Sequence, residues 1–238
     1  VVTGWDKIRI VPHGVDLSVY NTSLREDKPR PFTFLSVKGW AKGKNDRGGL
    51  QYAIRAFKEE FLTEWKEGKV RFLAKVNPAY LAPDHNAHIG AMMNELGVPV
   101  EPQVQIATQD MSPEGLRGLY YDADIFINTT RAEGFGLTGL EAHACGLSTI
   151  QSCYGGQTDY MEVDTDTMIE EGTLDLVDFD LEYEGVKWFT PSIPAIRKAM
   201  RWSYEHQDEV REAGKRASKG CVAWTWRKAA EKALSNLG

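Results

Sequence analysis

The chain predicts an α/β fold, a parallel sheet with helices on both faces. Short apolar runs of strand character alternate with longer amphipathic runs of helical period along most of the 238 residues. Such alternation resolves into a parallel sheet with right-handed crossovers. One run, Ile125-Phe126-Ile127, is continuously apolar, as in a strand buried on both faces.

The elements follow in order. Ile8-Arg9-Ile10-Val11 reads as a short strand ending at Pro12, and Phe32 to Val37 as a second, rich in β-formers. Leu50 to Trp65 is predicted helical, with Ala53, Ile54, Phe57, Phe61 and Leu62 on one stripe. Val70 to Val76 is a strand, Asn86 to Leu96 a helix stopped by Gly97, and Val104 to Ala107 a strand. Ser112-Pro113-Glu114 opens the next helix, with Ser as N-cap, Pro at the first helical position and an acid in the first turn. That helix runs to about Tyr121. After Ile125–Ile127 come a helix from Thr138 to Cys145, ended by Gly146, and a strand from Ser148 to Gln151. Thr165 to Phe189 is acidic and less regular, and Pro191 to Leu237 reads as three helical pieces. In such sheets ligands bind outside the carboxyl ends of the strands.

Composition narrows the classes. Apolar residues make up 42% and charged residues 26%, as in ordinary globular proteins. A net charge of −6 argues against non-specific nucleic-acid binding, which needs a basic surface. No run of about 18 apolar residues is present to span a membrane. Cys145, Cys153 and Cys221 show neither paired nor metal-ligand spacing. They read as small buried hydrophobes in a reducing cytoplasm. The start, Val1-Val2-Thr3-Gly4-Trp5, has neither an initiator Met nor signal-peptide character, and reads as a cut inside a longer chain.

One strand-to-helix loop stands out. After Ile127 the sequence continues Asn128-Thr129-Thr130-Arg131-Ala132-Glu133-Gly134-Phe135-Gly136-Leu137-Thr138-Gly139-Leu140-Glu141. Gly134, Gly136 and Gly139 let backbone approach a ligand closely. The helix that follows offers unpaired N–H groups and a positive dipole end, a phosphate-binding arrangement. The dipole alone contributes about 0.3–2 kcal/mol, so cationic side chains must help hold a diphosphate. Glu133 and Glu141 flank the turn. A diphosphate repels them, whereas a vicinal diol donates two O–H groups to a carboxylate. A nucleotide sugar carries a diol at each end and a diphosphate between. Simpler readings stay open. Thr138-x-x-Glu141 fits a capping box, and Glu133 fits a solvated loop acid.

The run EGFGLTGLEAHACGLSTIQSCYGG resembles the Glu-x7-Glu segment of retaining glycosyltransferases of the GT-B fold, specifically glycosyltransferase family 4. IRIVPHGVD resembles the motif that opens their C-terminal domain, FLSVKGWAKGKNDRGGLQYAIRAF the following strand, basic loop and helix, LYYDADIFINTTRAEGFG the approach to the site, and GGQTDYM a motif beyond it. The resemblance runs from about Ile8 to Leu237. It implies a Rossmann-like domain, one half of a GT-B enzyme, occupying 1–238 with a helical tail over 190–238 packed on it. It also implies a facing N-terminal acceptor domain that is expected to be absent from the chain. Glu141 would bind ribose hydroxyls and Glu133 those of the transferred sugar. The backbone of Gly134, Phe135, Gly136, Leu137 and Thr138 would hold phosphates. The base would sit near Thr108, Gln109 and Asp110. Family members use UDP-, GDP- or ADP-sugars in glycan biosynthesis, retain configuration and require neither cofactor nor metal.

The basic loop departs from the family pattern. The usual Arg slot holds Gly39 beside Lys38, and the Lys-Gly slot falls near Arg47-Gly48, with Lys42 and Lys44 upstream. Arg47 and Lys44 are the expected diphosphate cations and catalytic partners of Glu133, with Lys38 third; a solvated basic turn is the other reading. His13 is expected at the cleft mouth. His143, His85, His88, and Trp188, Trp202, Trp224 and Trp226 are expected in structural or surface roles, the tryptophans anchoring the tail helices. The partners implied are a nucleotide sugar, the missing domain and an acceptor of glycan, lipid or small-molecule type. The location implied is cytoplasmic, or peripheral at a membrane through the missing domain. The competing functions are a non-catalytic nucleotide-sugar-binding module and a GT-B relative such as a nucleotide-sugar epimerase.

Overall fold

The computed structural model describes residues 8–26, 30–40, 42–97, 104–177 and 185–236. Six parallel strands form the main sheet: β1 (Phe32–Lys38), β2 (Val70–Val76), β3 (Val104–Ala107), β4 (Ile125–Asn128), β5 (Ser148–Ser152) and β6 (Asp166–Ile169). Their spatial order is β3-β2-β1-β4-β5-β6, the doubly wound Rossmann-like order. The direction in which successive strands are added reverses between β1 and β4. Pairing there stops at Leu35↔Phe126, although β1 runs on to Lys38. The two strands therefore part at their carboxyl ends and leave a crevice.

Alternating side chains send β1 into two cores. Phe34 packs with Ile54, Phe57 and Phe61 of one layer, while Leu35 and Val37 pack with Tyr120 and Leu140 of the other. The first layer is built by α1 (Leu50–Glu60), α2 (Leu62–Lys66), α3 (His85–Glu95) and, from the tail, α6 (Ile193–Glu205). The second is built by α4 (Pro113–Tyr121) and α5 (Leu137–Ala144). α7 (Gln207–Gly220) packs against α5 and the start of β5, and α8 (Trp226–Ser235) closes the tail. Arg201 bonds Glu60 at 2.9 Å and Glu64 at 2.6 Å, so the tail is tied to α1 and α2. Among the described residues no helix is long and apolar enough to cross a membrane.

Three expectations need correction. Ile8 to Val11 forms no strand: Ile8, Ile10 and Val11 are exposed, and strand propensity without a partner to pair with yields no strand. Among the described residues, backbone pairing with the rest of the fold begins at Val15, whose N–H bonds Trp224 O. The helix expected over Leu50–Trp65 is interrupted at Phe61, whose φ of −114° and ψ of 36° are not helical. The acidic stretch is more regular than its composition suggests. It holds β6 and then a two-stranded antiparallel sheet, β7 (Gly172–Leu176) with β8 (Lys187–Pro191). Residues 178–184 of that stretch, Val1–Trp5 and Leu237 lie outside the described residues. Cys145 and Cys221 are buried, and burial pushes both thiols up to about 12. Cys153 is only half-buried.

Candidate functional site

The loop from β1 to α1 is folded by its own polar groups. Trp40 is buried and donates its indole N–H to Gly43 O at 3.0 Å. Asp46, also buried, accepts from Gly48 N at 2.7 Å and Lys42 N at 3.2 Å. Gly49, at φ 78°, caps α1 where a Cβ would lie 1.8 Å from Thr129 O. Only glycine fits there, because both the left-handed backbone and the close approach exclude a side chain. Thr129 Oγ1 donates to Gly49 O at 2.8 Å, and Arg131 N to Arg47 O at 2.9 Å. The loops leaving β1 and β4 are thereby fastened together at the switch point.

The fastening brings Lys38 to Glu133. Lys38 ends β1, its side chain is 7% exposed, and its Nζ lies 2.8 Å from Glu133 Oε2. Burial works to raise the Glu133 carboxyl, but the Lys38 charge and hydrogen bond, with Arg47 and the Gly134 N–H, hold it below its ordinary value. Burial lowers the Lys38 ammonium, with Glu133 opposing. The two shifts belong to one buried pair: attraction prevails over desolvation at Glu133, and desolvation prevails at Lys38.

Immediately after Glu133 the chain turns into α5. Its N-cap is Gly136, at φ 82°, and no side chain caps it. Tyr160 Oη donates to Gly136 O at 2.7 Å and fixes the turn. The first N–H groups of α5, with the positive end of its dipole, are thus offered outward. The capping-box reading fails here. Thr138 lies inside the helix rather than at its cap, so Glu141 has no capping partner in it. Glu141 sits one turn deeper, half-buried, and accepts from Tyr120 Oη at 2.9 Å. Burial raises its carboxyl above the ordinary value, with Tyr120 and Tyr20 opposing.

A cavity of about 930 Å³ opens at these strand ends, at the upper end of the usual range for small-molecule sites. Of the expected site residues, Lys38, Arg47, Glu133, Gly134, Phe135, Gly136, Leu137 and Thr138 line it. Arg47, which is exposed, also donates to Ala132 O. Four expected residues fall elsewhere. Lys44 turns away: it is exposed, its Nζ 3.6 Å from Glu95, because Asp46 and Trp40 fold the loop so that this lysine faces α3. Thr108 and Gln109 do not reach the cavity, while the next residues, Asp110 and Met111, do. Glu141 is not on the wall; Thr138, one turn before it, is.

Some lining residues escape sequence reasoning. Lys75 lines the cavity from the buried end of β2; a charge within the otherwise apolar run Phe72–Val76 was the available signal. Trp188 corrects the grouping of the tryptophans. It lies on β8, lines the cavity and carries the Arg131 guanidinium 5.4 Å over its ring. Trp202 and Trp226 are half exposed rather than buried anchors, while Trp224 packs on Phe135 and Tyr160. His13 lines the cavity, stacked on Phe135 at 5.3 Å. His143 is buried against Asp166 at 2.8 Å, a structural pair as expected.

A family model described as Glycosyl transferases group 1 matches residues 45–176, more than half the chain. Solved structures share the fold. A glycosyltransferase from Rickettsia africae is 15% identical, with a TM-score of 0.68 over 97% of this chain and 56% of that one. HepE of Anabaena, solved in complex with UDP and glucose, is 14% identical, with a TM-score of 0.66 over 96% and 56%. The C-terminal domain of a glycosyl transferase group 1 protein from Francisella tularensis is 16% identical, with a TM-score of 0.62 over 88% and 97%. The chain thus spans about half the length of the first two and nearly all of the third. A sequence search of curated proteins finds no match.

Proposed function

The chain belongs to the glycosyl transferases group 1 family, with the fold of a GT-B half-molecule, and from that premise we propose that it binds a nucleoside-diphosphate sugar at the cavity over β1, β2 and β4. The observation that carries this reading is the Lys38–Glu133 pair at 2.8 Å beside the uncapped start of α5. A cation and an exposed row of amides suit a diphosphate. A carboxylate next to them suits the hydroxyls of the attached sugar. HepE, solved with UDP and glucose, supports a ligand of that chemistry.

In this reading the α5 amides at Leu137 and Thr138, Arg47 and Lys38 stabilise the diphosphate as the glycosidic bond breaks. They provide fixed charges where negative charge develops, so the transfer needs no metal ion. Glu133 holds the sugar, and the bond forms on the face from which the leaving group departs, with retention. Glu141, one turn along α5 and set behind Thr138 rather than on the cavity wall, is assigned the ribose hydroxyls, which must reach past that turn. The acceptor is bound by a second Rossmann-like domain facing this one, and 190–238 belongs to the donor-binding unit.

Calorimetry with bare nucleoside diphosphates and their sugar forms tests the proposal. Glu133→Gln should bind the bare diphosphate at least as tightly as before, because Lys38 is released, yet lose about tenfold or more for the sugar form. Equal loss for both forms, or none, contradicts it.

A further inference from the structure

We propose that Lys75 and Asp110 read the nucleobase of the donor and select guanine, an inference that rests on the donor site described above. The two residues enter the cavity from neighbouring strands. Lys75 pairs in register with Ala107, the last residue of β3. Asp110 follows in the loop leaving that strand, and both line the cavity. Lys75 is 7% exposed, the only charge in the buried run Phe72–Val76. Its Nζ donates to Val76 O at 2.8 Å, which uses one of three ammonium protons. Burial lowers its pKa and the Asp110 charge opposes that shift. The apolar stem packs at the strand end, while the ammonium, costly to bury, stands at the cavity wall.

Placement fits the base. β2 stands two strands from β4, and β3 three. At the usual spacing that is about 10–14 Å. A nucleoside diphosphate carries its base and its second phosphate at opposite ends. Phosphate on α5 therefore sends the base across the sheet toward Lys75 and Asp110.

Donor and acceptor patterns decide among bases. Guanine presents a carbonyl oxygen beside a ring N–H and an amino group. The ammonium takes the oxygen, and the carboxylate takes both N–H donors. Uracil has one N–H between two carbonyl oxygens, which sets one carboxylate oxygen against an acceptor. Adenine places an amino group toward the ammonium and a lone pair toward the carboxylate, a mismatch at both positions.

Calorimetry of the full chain with GDP, UDP, ADP and xanthosine diphosphate tests this. GDP should bind about tenfold or more tighter than UDP or ADP. Asp110→Asn should weaken GDP by a similar factor and make xanthosine diphosphate the tighter ligand. Xanthine has a carbonyl oxygen where guanine has its amino group, and it accepts from the introduced amide. Asp110 is exposed, so this exchange leaves the fold intact. Lys75→Met should weaken GDP and leave pyrophosphate affinity unchanged. GDP no tighter than UDP, or an Asp110→Asn chain weakened equally for every nucleotide, overturns the guanine assignment and leaves the donor site standing. Absence of binding by any nucleotide overturns the donor site itself, and this inference with it.

Discussion

Lys38 and Glu133 are 95 residues apart in sequence, and their Nζ and Oε2 atoms meet at 2.8 Å where β1 and β4 part. The pair is held by backbone bonds between its two loops, Arg131 N to Arg47 O and Thr129 Oγ1 to Gly49 O. A buried ion pair contributes little net stability once desolvation is counted. Its place at the topological switch point, where sheets of this kind bind ligands, gives it a functional reason to exist.

The pair fixes a response to acid. Although burial alone would raise it, Glu133 is held below its ordinary value of 4.5 by Lys38 and its neighbours. The folded state therefore binds fewer protons at this site than the unfolded chain. The stabilisation is complete above about pH 4.5 and is lost as pH falls through the folded value. Wild type should lose stability below pH 4.5 more steeply than Glu133→Gln, measured by denaturant unfolding across pH. Parallel curves would show that the pair is not formed in solution.

Glu141 carries the opposite sign. Burial raises its carboxyl above 4.5, with Tyr120 and Tyr20 opposing. The folded state then binds more protons than the unfolded one, so stability falls as pH rises from about 4.5 through the folded value. Above the folded value the charge is a net liability to the fold. Glu141→Gln should raise the thermal midpoint at pH 7 while lowering nucleotide affinity about 10- to 100-fold. Greater stability with unchanged affinity would remove Glu141 from the binding site.

Gly136 tests the turn into α5. Its φ is 82°, and a Cβ there would meet Tyr160 Oη at 2.8 Å. Gly136→Ala should destabilise the protein by about 1–2 kcal/mol from the left-handed backbone alone, with further loss from the contact. Nucleotide affinity should fall with it, because the α5 amides are displaced. Thermal unfolding and calorimetry on one sample measure both, and a neutral substitution would mean that the turn adapts.

Transfer separates binding from reaction. In the proposed reading a facing domain supplies acceptor positioning that is worth up to about 7–11 kcal/mol. The 238-residue chain alone should bind donor and transfer its sugar slowly or not at all, followed by product release from a labelled donor. Robust transfer by the chain alone would place acceptor binding within these residues.

Much of the fold was legible because its signals are local. β2 and β3 match their expected bounds, and Ser112 caps α4 by accepting from Gly115 N at 3.2 Å. The glycine-rich turn between β4 and α5 announced itself by composition. What escaped depends on distant partners. Lys38 outranks Lys44 at the cavity because Trp40 and Asp46 fold the intervening loop, which charge counting does not see. Lys75 was hidden inside a strand recognised for its apolar residues. β7 and β8 pair across a connection that includes 178–184, and β7 is exposed along its length, so no buried face marks it. Ile8–Val11 has strand composition but no neighbouring strand, so its propensity goes unused.

A crystal structure of the chain soaked with a nucleoside-diphosphate sugar is the most direct measurement. The expected electron density places the two phosphates on the backbone of Leu137 and Thr138, with the hexose hydroxyls within hydrogen-bonding distance of Glu133. Phosphates bound away from the start of α5, or a sugar out of reach of Glu133, would contradict the donor site.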